Sequence, residues 1–209
     1  MVTRVNTAGV DTMGRVRLST VEVEITSGIG IHMVGLADVV AKEMLLRVVT
    51  AIQSLGFSIP GRKIVISFNP TNHYKKSTNF DVAVAVGILV ASGQVVVKED
   101  LLERCLLCGE LGLDGSIREG DPYRGYEIAK EMGELIGERP LCLLTGRETA
   151  LQAGLVTDVL TYSFGSLGRL LEVLAGRIYG TSWLVWNTRE WQEMEEGAER
   201  IKYMSQRPL

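Results

Sequence analysis

Seven consecutive residues, Lys75-Lys76-Ser77-Thr78-Asn79-Phe80-Asp81, gather two amines, two hydroxyls, an amide and a carboxylate. A hydroxyl beside an amine is the raw material of a serine- or threonine-type hydrolase, in which a lysine takes the proton of the attacking oxygen. That chemistry needs the base within hydrogen-bond reach and donors waiting for the oxyanion. The competing reading is structural, because hydroxyls in loops commonly cap or turn the backbone. His73 and Tyr74 come just before. With Lys75 and Lys76 they form the one local basic cluster that carries an aromatic. Such a cluster either contacts phosphate or another acidic surface or is a solvated turn.

Two other spacings resemble motifs and fail on context. Gly56-Phe57-Ser58-Ile59-Pro60-Gly61-Arg62-Lys63 nearly spells a phosphate-binding loop. It lacks the Gly-Lys-Ser/Thr ending, and it runs from helix to strand. A P-loop runs from strand to helix, so that the helix N-terminus faces the phosphates. With no other Walker-type sequence, the expectation is that any ATP-driven step belongs to another polypeptide. Cys105-Leu106-Leu107-Cys108 has redox or zinc spacing, but a zinc site needs four ligands. Cys142, His32 and His73 are all distant in sequence. A thioredoxin-type motif opens a helix, whereas this one leads into an extended Gly-Glu-Leu-Gly-Leu stretch. The reading is of buried structural thiols, with no metal and no cofactor.

These residues must be positioned by ordinary elements. Val21, Val23 and Ile25 alternate with Glu22 and Glu24, as in a half-buried strand. Ser27–Gly30 turns the chain and 31–36 resumes it in extended form. Asp38 is placed as the N-cap of a helix whose apolar face is Ala41, Leu45, Val48, Ile52 and Leu55. Gly56 ends it as a C′ residue. Residues 63–68 read as a buried strand. The Val/Ala run 82–91 is a strand by propensity and a buried helix by length and flanks. Residues 106–113 are extended and 123–132 helical. Strands at 141–144 and 156–162 flank a short helical piece. Ser166 caps a last helix that Gly176 stops. The mixture predicts an α/β or α+β mixed sheet with packed helices.

At 209 residues, the chain has room for one core, or one core and an appendage. A net charge of −3 supplies no global basic field, so nucleic-acid binding would need a local patch. There is no apolar run of membrane-span length and no signal-peptide pattern. The odd count of three cysteines makes no disulfide framework. A reduced, cytoplasmic protein is expected. After Gly180 the character changes. Trp183, Trp186 and Trp191 crowd together, and Trp191, Met194, Ala198 and Ile201 recur at heptad-like spacing. Residues 1–178 are therefore read as one domain, and 179–209 as a Trp-rich amphipathic helical tail.

Several segments together resemble one family. They are Val21–Ile25 before Ser-Gly-Ile-Gly, then Met33-Val34-Gly35-Leu36-Ala37-Asp38, Lys42-Glu43, Arg47-Val48 and Gly56-Phe57. Next come Ile64 to Asn69-Pro70, then Phe80-Asp81-Val82-Ala83-Val84-Ala85-Val86-Gly87-Ile88-Leu89. The last and most specific is Gly109-Glu110-Leu111-Gly112-Leu113-Asp114-Gly115-Ser116-Ile117-Arg118. The pattern is similar to the N-terminal domain of the YifB/ComM family, the magnesium-chelatase-like (ChlI-like) AAA+ proteins, from about residue 3 to 176. The resemblance implies a fold like that of Lon protease and the RadA C-terminal domain, with a left-handed βαβ crossover. It also implies that 82–91 is a helix.

In the proteolytic cousins a Ser and a Lys form the catalytic dyad. The resemblance lays Asn79 on the Ser position and Arg124 near the Lys position. An amide is no nucleophile, and an arginine, always protonated, is no general base. The loop also lacks the Gly-Pro that the family usually shows before its Ser. The implied function is a non-catalytic module for assembly or binding, as a homo-oligomer or docked on an AAA+ ATPase, with a role in DNA processing or competence. His73, Lys75, Lys76, Asp81 and Glu110 are its candidate binding residues. The alternatives are a residual Ser/Thr-Lys peptidase built on Ser77 or Thr78, and a DNA-binding accessory protein.

Overall fold

The computed structural model describes residues 1–70, 79–97, 101–118, 124–134, 142–156, 159–176 and 184–186. The N-terminal half is built from β1 (Val2–Val10), β2 (Val16–Thr26), β3 (Ile31–Val34), α1 (Asp38–Ser54), β4 (Lys63–Asn69) and α2 (Asp81–Ala91). Then come α3 (Leu101–Arg104), β5 (Cys105–Leu107), β6 (Glu110–Leu111), β7 (Ile117–Arg118) and α4 (Gly125–Glu134). The remaining elements are β8 (Cys142–Thr145), α5 (Arg147–Ala153), β9 (Leu160–Ser163), α6 (Leu167–Leu174) and β10 (Leu184–Trp186).

The sheet runs β10-β9-β8-β5-β1-β2-β4-β3, and β6 and β7 form a separate hairpin. It is mixed. β1 is antiparallel to β2 and parallel to β5, and β5, β8 and β9 run parallel. At the other end β2 is antiparallel to β4, which is parallel to β3. The β1–β2 turn is held by Asp11, whose Oδ1 accepts from the amides of Met13 (2.8 Å) and Arg15 (2.9 Å).

Alternation along the strands divides the interior into two cores. Val5 of β1 and Cys105 and Leu107 of β5 face a large cluster shared with α1, α2 and α6. Ala8, Leu106 and Cys108 face a smaller one shared with α4 and Ala153 of α5. The Val21/Val23 alternation is borne out, both being fully buried, and the Ser166 cap forms, its side chain accepting from the Arg169 amide.

The Val/Ala run is a helix. Nine of the eleven residues of α2, Asp81 to Leu89, are buried, and an element that is apolar all round belongs in an interior. Gly87 sets its depth: a Cβ there would stand 2.7 Å from Val23 Cγ2, so the helix lies flush on the sheet. Two expectations are corrected, and one short element was not foreseen. Asp38 is the first helical residue of α1 and not its N-cap. The cap is Ala37, which offers no side-chain bond; Asp38 instead places a negative charge in the first turn, where the helix dipole favours it. The four-residue helix α3 has no periodic signal in so few residues. Leu184–Trp186, assigned to the helical tail, is a strand antiparallel to β9. Trp183, Trp191 and the rest of that tail lie outside the described residues.

Two glycines of α4 give a test of packing. A Cβ on Gly125 would collide with the Thr149 carbonyl oxygen and stand 2.9 Å from Gln152 Cβ, whereas one on Gly133 meets nothing within 4 Å. Gly125→Ala must part α4 from α5, at a cost of roughly 1–3 kcal/mol or more. Gly133→Ala gains about 0.5–1 kcal/mol of helix propensity. Urea denaturation of the two variants should move the midpoint in opposite directions. Equal shifts would refute the close approach.

Candidate functional site at the start of the buried helix

Three elements converge where α2 begins. Asp81 is its first residue and has no exposed surface. Arg47, in the middle of α1, reaches it with two bonds: Nε donates to Oδ2 at 2.6 Å and Nη2 to Oδ1 at 3.1 Å. The amide of Leu111 in β6 also donates to Oδ2, at 3.1 Å. A buried carboxylate without partners is prohibitively costly. Here a two-pronged guanidinium and a backbone donor surround it, and the N-terminal end of the α2 dipole adds a favourable field.

The backbone repeats the junction. The Gly109 amide donates to the Asn79 carbonyl (3.0 Å), and the Val82 amide donates to the Gly109 carbonyl (3.2 Å). The second bond satisfies one of the first-turn amides that every helix leaves open. Gly109 has φ +147, and a Cβ there would stand 2.8 Å from Ile117 Cγ2, so the site requires a residue without a side chain.

The β6–β7 hairpin holds this edge in place. Glu110 pairs with Arg118, and Leu111 with Ile117. Asp114 closes its turn by accepting from the Ser116 amide (3.0 Å) and hydroxyl (2.6 Å). The amides of Leu167 and Ile117 then tie it to the α6 end, through the Gly115 carbonyl (2.8 Å) and the Gly165 carbonyl (3.0 Å).

Electrostatics at the junction are opposed. Burial pushes the Asp81 carboxyl up to about 6, against the pull of Arg47 and the Leu111 amide, and the nearby Glu110 adds to the rise. The hydrogen bond to Asp81 raises Arg47 above its ordinary value, with Glu110 and Glu43 contributing.

The structure brings Asn79, Asp81 and Glu110 to one place. Asn79 is 5% exposed. Arg124 stands elsewhere, at the head of α4 on the opposite face of the sheet, where Nη1 pairs with Glu127 Oε2 at 2.6 Å. His73, Lys75, Lys76, Ser77 and Thr78 lie outside the described residues. The chain on either side of them is pinned. The Asn69 carbonyl accepts from Ser19 Oγ at 2.9 Å, and Asn79 is tied to Gly109.

Sequence reasoning missed Arg47 as a site residue. The available signal was a cation set between apolar Leu46 and Val48, with nothing to name its partner. The Cys-x-x-Cys spacing also dissolves. Residues three apart on a strand point to opposite faces, so Cys108 meets Thr7 Oγ1 (3.8 Å) on one side while Cys105 lies on the other. Among the described residues no group of three metal-ligating side chains gathers, and no helix is long and apolar enough to cross a membrane.

Comparison with known proteins places this junction inside a recognised region. Residues 21–125 match the family described as Subunit ChlI of Mg-chelatase. The chain is 39% identical over 100 residues to the uncharacterized protein YifB of Salmonella typhimurium, covering 47% of this chain and 19% of that protein. It is 38% identical over 106 residues to an uncharacterized protein of Mycobacterium tuberculosis, covering 50% and 20%. Similarity to Competence protein ComM of Haemophilus influenzae is 29% over 161 residues, 77% of this chain and 30% of that protein. The chain thus spans less than a third of the length of these relatives.

The buried pair has a pH signature. With Asp81 near 6 when folded and 3.8 as its ordinary value, the folded protein keeps between these limits a proton that the unfolded chain has lost. The contribution of Asp81 to stability is then full below about pH 4, declines as pH rises through 6, and is level above. Urea denaturation of the native protein and Asp81→Asn should show their difference falling across pH 4–6; a flat difference contradicts it. Arg47→Ala strands the carboxylate and should cost about 3–5 kcal/mol at neutral pH, less at pH 5, where Asp81 takes up its proton.

Proposed function

The chain belongs to the ChlI family of magnesium-chelatase-like proteins, with YifB and ComM as its relatives, and from that premise we propose that it is a non-catalytic binding module. Its contact surface is the basic loop that carries His73, Lys75 and Lys76. The observation that carries this reading is the junction itself. The Asp81 carboxylate is saturated by Arg47 and the Leu111 amide, and the described residues bracketing the segment are held, Asn69 by Ser19 of β2 and Asn79 by Gly109. Anchored stems reduce the entropy lost when a loop engages a partner. In the Lon-like arrangement we carry over from the resemblance, Asn79 takes the nucleophile position, and an amide is no nucleophile; Arg124, expected near the lysine position, pairs instead with Glu127 on the opposite face of the sheet.

The module acts as an assembly. Val39 and Leu46, seven apart on α1, each leave 67% of their surface exposed with exposed Lys42 and Glu43 between them, a mixed face suited to a second copy or an AAA+ ATPase. Several copies facing one ligand turn a weak basic loop into a useful one. Because one relative bears the name competence protein, the acidic partner we favour is DNA.

Gel mobility with duplex DNA tests the contact. The native chain should shift DNA at about 50 mM salt and release it as salt rises, and Lys75→Ala/Lys76→Ala should lower the salt slope by about 2. Absence of any shift at low salt removes DNA as partner. Light scattering after size exclusion should give a mass several times that of the protomer, and Leu46→Glu should reduce it. A monomer at high concentration would remove the assembly. Incubation with an unstructured protein substrate should yield no cleavage. Cleavage lost on Ser77→Ala/Thr78→Ala would replace the proposal with a peptidase.

A further inference from the structure

Cys105 and Cys142 are far apart in sequence and adjacent in space. They open β5 and β8 as directly paired residues of parallel strands, and their Sγ atoms lie 2.8 Å apart. Paired residues on neighbouring strands have Cα atoms about 5 Å apart, inside the range of roughly 4.4–6.8 Å that a disulfide spans. Closing the bond to about 2.05 Å requires the sulfurs to approach by less than an ångström. Cys105 is buried and Cys142 half-buried, so Cys142 is the more exposed of the two. The third cysteine, Cys108, is fully enclosed in the other core and contacts Thr7.

We propose that Cys105 and Cys142 form a redox-active dithiol, the half-buried thiol reacting with peroxide and the buried one resolving it to an intramolecular disulfide.

Polarity in the pair supports that order. Either sulfur can donate across the 2.8 Å contact; with Cys105 as donor the bond lowers Cys142 and holds Cys105 protonated, and the Arg104 cation favours the thiolate further. A thiolate, not a thiol, is the nucleophile. In the first step the Cys142 sulfur attacks one oxygen of hydrogen peroxide. An S–O bond forms, the O–O bond breaks, and the departing hydroxide is protonated to water, leaving a sulfenic acid. In the second step the Cys105 sulfur attacks the sulfenic sulfur. The S–S bond forms, the S–O bond breaks, and the hydroxide leaves as a second water with the Cys105 proton. Two thiols are oxidised and one peroxide is reduced to two waters; no other reagent is consumed. The disulfide would join β5 to β8 across a separation of 37 residues that includes the β6–β7 hairpin and α4.

The native chain is treated with hydrogen peroxide, quenched, alkylated and digested, and its intact mass and peptides are read. The expected result is an intact mass lower by two hydrogens, loss of two of the three alkylatable thiols, and one cross-linked peptide pair joining Cys105 to Cys142. Dithiothreitol restores both thiols. Cys108→Ser should form the same link, and in Cys105→Ser the oxidation of Cys142 should run on to the sulfinic acid. A link through Cys108, a link between two chains, or sulfinic acid at Cys142 of the native chain in place of the disulfide overturns the proposal.

Discussion

A single buried charge organises this fold. Asp81 has no contact with water, so everything around it must supply what water would. Arg47 fixes the roll of α1 against α2, because a guanidinium that binds both oxygens must lie in the plane of the carboxylate. The Leu111 amide fixes β6, and Gly109 holds Asn79 and Val82 on either side of Asp81 as well. A hydrophobic pair in its place could add as much stability. It would not specify which turn of one helix faces which turn of the other. Around this point the apolar elements can be plain: Val and Ala in α2, Ile and Phe in β4.

Legibility in the sequence depends on which forces are local. Alternation in β2, the Ser166 cap and the positive-φ glycines 56 and 176 are decided within a few residues, and were legible. The Val/Ala run was not, since propensity and burial argue in opposite directions and only the surrounding sheet and helices decide. The resemblance supplied that answer. At the site, Asp81 and Glu110 could be nominated from motifs, but their partner Arg47 could not, because an ion pair linking residues 34 apart leaves no spacing to read. Asp38 shows the converse error: a residue of the right type one position too late for a cap is worth something to the helix as charge.

The family region ends near the start of α4, and the structure gives that limit a physical sense. Residues 21–125 contain every member of the Asp81 junction, together with strands β3 to β5, most of β2 and the hairpin that braces it. The later elements, α4, β8, α5, β9 and α6, complete the parallel half of the sheet and close both cores.

The central strand has a partner on each side, and the two arrive very differently. β2 comes after β1 by a five-residue turn, so that edge closes as soon as a hairpin can form. The other edge is met at Asn6 by Leu106, about a hundred residues further on, and helices α1 and α2 must pass before it comes. Until then the open side of β1 is a row of unpaired amides and carbonyls of the kind that recruits foreign strands. Long-range closures of this type slow folding. The chain's hazard is thus in its youth rather than in its finished form, and a chaperone that shields a nascent hairpin would serve it better than any gain in native stability.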